Sequence, residues 1–327
     1  MNKSNTLSVE VTHSTIDVSL LLQKLLSQYN LSNLKTSELI QRGNNDTYKL
    51  EVSTGTYILR IYRYQWRSLE EINFEIDSLL YFKKAGLNIS YPIQKNNLEY
   101  VTLLEAPEGV RYALLMSYTE GKEALYKSHE DAYMYGLEVA QLHELSNNFR
   151  PKYKKDNITI DYLLYEPIRV IETYLYESKE DREYFDSFIS KLLSKINKLS
   201  TQKLNYGFCH GDLHGGNAHQ NVKGFEFFDF DFCGFGWRAY DIAVFRWGCK
   251  LRSREEELWS SYLSGYSSIN PISEQELEWT KYFLIIRDLW VMALHIKNSK
   301  DFGTTLIGDF YIKKRLYFLK ICEEDYL

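Results

Sequence analysis

The segment His210-Gly211-Asp212-Leu213-His214-Gly215-Gly216-Asn217 sets an Asp and an Asn five positions apart in a glycine-rich run, and twelve positions later Asp229-Phe230-Asp231 sits inside an apolar stretch. That spacing lets one tight loop aim both polar side chains at the same place. Phosphoryl transfer to a hydroxyl needs three such groups: a carboxylate to receive the proton, an amide oxygen for one magnesium ion, and a second carboxylate for the nucleotide's magnesium. Asp212, Asn217 and Asp229 could supply that set. A lone His-Gly-Asp would be an ordinary loop turn, so the reading depends on all three residues together.

With 327 residues, 44% of them hydrophobic, the chain can bury one large core or two modest ones. A formal charge of −5, with lysines and arginines interspersed among acids, offers no basic face for a nucleic acid backbone. Cys209, Cys233, Cys249 and Cys322 are too widely spaced for a CxxC metal or redox pair, so reduced thiols and a cytoplasmic location are expected. The first thirty residues lack a basic start followed by an apolar core, and no apolar run approaches the roughly 20 residues of a membrane span. Neither export nor a membrane partner is expected.

Apolar residues at helical spacing predict a leading helix over 17–30. Tyr48-Lys49-Leu50-Glu51-Val52 and Tyr57-Ile58-Leu59-Arg60-Ile61-Tyr62, joined by Thr54-Gly55, predict a hairpin. A helix follows over 69–84, with Glu70 and Glu71 in its first turn, an apolar stripe of Ile72, Ile76, Leu79 and Leu80, and Gly86 beyond its end. Strands are expected near 100–104 and 112–117. After Gly121 helical periodicity takes over, at 132–145, 168–176, 185–199, 277–296 and 310–323, interrupted by short strands and turns over 204–232. A sheet-containing part followed by a helical part is an α+β arrangement.

On its HGDxxxxN loop, its Asp-Phe-acid motif and the later Tyr240-Asp241-Ile242-Ala243, the chain resembles the aminoglycoside phosphotransferase and choline kinase-like superfamily. Leu59-Arg60-Ile61-Tyr62-Arg63 with Gln65-Trp66-Arg67 is most similar to its homoserine-kinase-type and stress-response-kinase branches. The resemblance implies a two-lobed protein-kinase-like fold. An N-terminal nucleotide-binding lobe over 1–116 would hold a five-stranded antiparallel sheet plus a helix, a hinge would occupy 117–121, and a mostly helical catalytic and substrate-binding lobe would fill 122–327. ATP would be the co-substrate and Mg²⁺ the cofactor.

Roles follow residue by residue. Asp212 would orient the acceptor hydroxyl and take its proton, worth on the order of 10²- to 10⁴-fold. Asn217 and Asp229 would be magnesium ligands, oxygen donors of the kind this hard cation prefers, with Asp231 as a further metal or substrate contact. His210 and Asp241 would brace the catalytic loop; His214 and His219 read as surface or loop histidines. Gly43, Asn44 and Asn45 form a strand-to-strand turn able to cover phosphates. Arg60 falls where the kinase third strand carries its phosphate-binding Lys, and Glu75 where that residue's partner stands. Ser117 to Thr119 would offer backbone groups to adenine. Arginine in place of lysine is a real departure, because its planar fork grips phosphates differently from a point charge.

Between 205 and 245 five acids (Asp212, Glu226, Asp229, Asp231, Asp241) face two bases (Lys223, Arg238), which suits a cationic acceptor such as an aminoglycoside, choline or an amino alcohol. Homoserine is an acceptor of the same small-molecule class. Trp237, Trp247 and Trp290, with Arg287 and Asp288, could line the acceptor site, although core packing also explains them. Two other readings stand beside a small-molecule kinase: a Ser/Thr protein kinase of the stress-response type, and a catalytically impaired nucleotide-binding module, the latter motivated by Arg60. Replacing Asp212 by Ala is expected to lower turnover with little loss of stability. A homodimer stays open.

Overall fold

The computed structural model describes residues 9–303 and 307–327. It divides into two compact units, one holding the chain up to Ile76 together with Tyr91–Tyr118, the other Asp77–Ser90 with Thr119–Leu327.

The first unit contains α1 (Val18–Ser27), β1 (Thr36–Arg42), β2 (Asn45–Val52), β3 (Gly55–Tyr62), the start of α2 (Leu69–Lys84), β4 (Val101–Ala106) and β5 (Gly109–Ser117). Its strands form one antiparallel sheet in the order β1-β2-β3-β5-β4. Side chains alternate faces along a strand. Tyr48, Leu50 and Val52 of β2, Leu59 and Ile61 of β3, and Ala113 and Leu115 of β5 are therefore buried together, against Val18, Leu22, Leu25 and Leu26 of α1. That helix starts where the Asp17 carboxylate accepts the Ser19 N–H at 2.9 Å. The same alternation turns Arg60, between Leu59 and Ile61, to the opposite face of the sheet.

The second unit holds β6 (Lys122–Glu123), α3 (His129–Ser146), α4 (Glu166–Tyr174), α5 (Lys179–Ile196), β7 (Tyr206–Cys209), β8 (Ala218–Asn221), β9 (Gly224–Phe227), β10 (Gly234–Trp237), α6 (Arg238–Lys250), α7 (Glu255–Ser267), α8 (Glu274–Phe302) and α9 (Asp309–Tyr326). Its core gathers Ile171, Phe188, Leu192, Ala243, Phe283, Ile286, Leu289 and Leu319 from five of these helices. Ser128 and Ser273 open α3 and α8 with reciprocal capping boxes to Asp131 and Glu276. The short strands make two small sheets, β6-β8-β9 and β10-β7. Among the described residues, no helix is long and apolar enough to cross a membrane.

Candidate active site

Strands β7 and β10 pair antiparallel with Cys209 opposite Gly234. The loop leaving β7 and the loop entering β10 therefore begin side by side, and the β8–β9 hairpin between them returns the chain to its starting point. Asp212 lies on the first loop and Asp229 on the second. The two loops come close at Gly211: its φ is +80°, and a Cβ there would lie 2.3 Å from the Phe232 carbonyl oxygen. Only glycine fits both that backbone and that gap.

Within the first loop Asn217 Nδ2 donates to the Asp212 Oδ2 at 2.9 Å and to the Asp212 carbonyl at 3.0 Å. The two loops are then stitched together. Phe228 N donates to the Asn217 carbonyl at 3.0 Å, and His210 Nε2 donates to the Phe228 carbonyl at 3.0 Å. With Nε2 carrying the proton, His210 Nδ1 accepts the Asp212 N–H at 3.2 Å. Burial lowers the His210 pKa, in keeping with this neutral tautomer. Asp229 itself adopts a left-handed backbone (φ 62°, ψ 60°), a conformation few residues other than Gly, Asn and Asp take readily.

Asp241, in the first turn of α6, accepts the His210 N–H at 2.7 Å on Oδ2 and the Gly211 N–H at 2.8 Å on Oδ1. His143 of α3 adds a third donor, Nε2 to Oδ2 at 3.1 Å, while its Nδ1 accepts the Tyr266 hydroxyl at 2.8 Å. Burial lowers the His143 pKa despite Asp241, so the imidazole is a neutral hydrogen-bonding link. His143, Cys209 and Asp241 bring ligand-type atoms within 4.8 Å of one another. The three N–H groups on Asp241 account for that cluster without an ion.

Arg287 of α8 is the ion-pair partner of Asp212, through Nη2 to Oδ1. Its guanidinium carbon lies 5.2 Å from the Trp247 ring centroid and 4.8 Å from that of Trp290. Burial would raise the Asp212 pKa, but Arg287, then His214, hold it well below the usual carboxylate range. His214 Nε2 lies 3.6 Å from Asp212 Oδ1, while its Nδ1 accepts the Gly216 N–H at 3.0 Å. It thus belongs to the surroundings of Asp212, which its place in the sequence did not suggest.

Trp247 is held by Asp288, its Nε1 donating to Oδ1 at 2.9 Å, and Asp288 pairs with Arg315 of α9 at 2.6 Å. Trp290 meets the Phe232 ring edge-on at 4.8 Å between centroids. Trp237 instead packs on Phe283 and Tyr206. Asp231 is buried, and its carbonyl accepts Lys155 Nζ at 2.6 Å.

In the first unit Arg60 Nη1 meets Glu75 Oε1 at 2.6 Å, and the Tyr62 hydroxyl donates to Oε2 at 2.8 Å. Gly43 N donates to the Asn45 carbonyl at 3.1 Å, which closes the β1–β2 turn, and Arg63 N donates to the Asn44 carbonyl at 3.3 Å. Asp46, next in line, pairs with the buried Arg111 at 2.7 Å. Ser117 exchanges hydrogen bonds with Tyr91: its N donates to the Tyr91 carbonyl at 2.8 Å and its Oγ accepts the Tyr91 N–H at 2.9 Å. Thr119, in the second unit, is buried and lies against His219, whose Nδ1 is 3.0 Å from the Thr119 carbonyl.

The donor set of the second unit fits a hard divalent cation. Asn217 directs both of its side-chain hydrogen bonds through Nδ2, so its Oδ1 and the carboxylates of Asp229 and Asp231 are the oxygen donors that could hold such an ion.

Residues 37–271 match the phosphotransferase enzyme family, and the chain belongs to that family. It has the kinase fold and is an enzyme of the phosphotransferase class. A protein of Deinococcus radiodurans is 30% identical over 97% of this chain and 93% of its own length. Among solved structures, an amicoumacin kinase in complex with AMP-PNP, Ca²⁺ and Ami superposes with a TM-score of 0.76 at 21% identity, covering 95% of this chain and 94% of that one. A microcompartment-associated aminopropanol kinase gives a TM-score of 0.69 at 20% identity over 93% and 94%.

Proposed function

We propose that the chain transfers the γ-phosphate of ATP, with Mg²⁺, to a hydroxyl of a small amine-bearing molecule such as an amino alcohol, an aminoglycoside or homoserine, in the cytoplasm. The observation that carries this reading is the Asp212–Asn217 hydrogen bond within one loop, stitched through Phe228 to the loop that presents Asp229. Asp212 orients the acceptor hydroxyl and receives its proton as the O–P bond forms. Asn217 and Asp229 would hold the magnesium, with Asp231 as a further oxygen donor, and the ion would supply positive charge against the phosphates. In the first unit, Arg60, fixed by Glu75, is the cation for phosphate oxygens, with Gly43, Asn44 and Asn45 as covering turn.

The choice of acceptor is supported by the acids around the loops and by the two similar structures, one bound to Ami and one an aminopropanol kinase. The test is phosphate transfer from γ-labelled ATP, with and without Mg²⁺, to a panel of amino alcohols, aminoglycosides and hydroxyl-bearing amino acids. A labelled small-molecule product that disappears in Asp212→Asn supports the reading. Label appearing only on protein, or not at all across the panel, refutes it.

A further inference from the structure

The Asp212 carboxylate is gripped from two sides: Asn217 donates to Oδ2 from within the loop, and Arg287 donates to Oδ1 from a helix seventy-five positions further along the chain. The first contact belongs to the loop itself. The second requires a device that brings a cation into the protein interior and stops it moving. Arg287 is 2% exposed, lies against the faces of Trp247 and Trp290, and has the Tyr240 hydroxyl 3.5 Å from Nη1. Trp247 is in turn fixed through its indole N–H to Asp288, and Asp288 to Arg315, so the side chains run in sequence from α9 through α8 and α6 to the loop.

A buried cation is costly unless paired and well packed. Surface attraction cannot account for this arrangement, since every member is at least largely shielded from water. A packed guanidinium with one donor on a carboxylate oxygen removes that carboxylate's freedom to rotate about its last bond. Each carboxylate oxygen has about two acceptor sites, so both oxygens can be held by protein donors while still leaving a site for an acceptor hydroxyl.

We propose that Arg287 is a positioning residue, which acts through Asp212 by locking the orientation of its carboxylate toward the acceptor hydroxyl. This rests on the phosphotransfer reading above. Arg287 need not touch the nucleotide or the acceptor for the effect. Misplacing a reacting group by about 1 Å can lower a rate by roughly 10²-fold, and that is the loss expected when Arg287 is replaced by Met. Arg287→Lys, which keeps a charge but loses the planar fork, should recover part of it.

The test is a double-mutant cycle on phosphate release from saturating MgATP with water as the acceptor. Arg287→Met should lower turnover by roughly 10²-fold with the KM for MgATP little changed. In an Asp212→Asn background it should lower it hardly further, because the group through which it acts is already disabled. Equal losses in both backgrounds would overturn the proposal, since they would describe a merely structural arginine.

A second measurement leaves α8 untouched: the guanidinium ¹⁵N–¹H signals of Arg287, assigned by their loss in Arg287→Lys, should shift or broaden in Asp212→Asn. Unchanged signals would show that the two side chains are not coupled, and the proposal would fall. A wild type that labels no acceptor of the panel, yet shows the coupled signals, counts against the phosphotransfer reading and leaves the Arg287–Asp212 lock supported.

Discussion

Arg60 of β3 and Glu75 of α2 form a buried ion pair, 2.6 Å between Nη1 and Oε1, and the second carboxylate oxygen of Glu75 is taken by the Tyr62 hydroxyl. The pair exists because strand alternation turns Arg60 away from the α1-covered face while the stripe of α2 brings Glu75 to it. Glu75→Ala should remove the carboxylate from this buried pair, and breaking a buried pair by removing one partner destabilises by about 3–5 kcal/mol. Urea denaturation should show that loss. Arg60→Lys is expected to preserve the pairing and to leave nucleotide affinity, read by calorimetric titration of MgATP, within about tenfold; a complete loss of binding would mean that the guanidinium fork itself is required.

Asp212→Asn should lower phosphate transfer by at least about 10²-fold. The sequence alone suggested that removing this carboxylate would leave stability intact, but its ion pair with Arg287 changes that expectation. Neutralising Asp212 leaves a guanidinium, buried between two tryptophans, without its counter-charge. A lower melting temperature is therefore expected alongside the lost activity. The double variant Asp212→Asn with Arg287→Met should recover much of the stability while staying inactive. Calorimetric melts of the three proteins decide it.

Gly211→Ala should be more damaging than either. The added methyl would have to occupy a left-handed backbone position and sit 2.3 Å from the Phe232 carbonyl oxygen, so the two loops must separate. Failure to accumulate folded protein, or a folded protein with turnover down by more than about 10²-fold, is expected. Wild-type turnover in this variant would mean that the close approach of the loops is dispensable.

What the sequence disclosed and what it withheld divide along physical lines. Helix α2 was legible from end to end because its first-turn acids, apolar stripe and terminal glycine are local signals. The hairpin of β2 and β3 was legible for the same reason. Strand β1 carries no such signal: all seven of its residues are exposed, so burial imposes no alternation on them.

The five-residue spacing of Asp212 and Asn217 is a local signal of the same kind, and their side chains meet within one loop. The partners of the loop were harder. Asp241 came with a motif, but His143, which completes its set of donors, is a single histidine on a helix with nothing nearby in sequence to mark it. Arg287 stood out only as a charge between tryptophans in a helical stretch; its pairing with Asp212 is created by packing of α6 and α8, and no residue pattern encodes that distance.

Glu138 of α3 offers a test in pH. Both of its carboxylate oxygens accept the Phe225 N–H, at 3.0 and 3.2 Å, and thereby tie α3 to β9, the strand that leads to Asp229. Burial, only partly offset by that hydrogen bond, pushes its pKa up from 4.5 to about 7. Between those two values the folded protein binds more protons at this site than the unfolded chain does, so its contribution to stability falls as pH rises. Below the lower value and above the upper one the contribution is flat. Glu138→Gln removes the titration, so its stability relative to wild type should climb from pH 5 to pH 7 and then level off. Urea midpoints measured at half-unit steps would show this as a widening gap between two curves; curves that stay parallel across the range would mean that Glu138 titrates as an ordinary solvated carboxylate and that the tie to β9 does not depend on its proton.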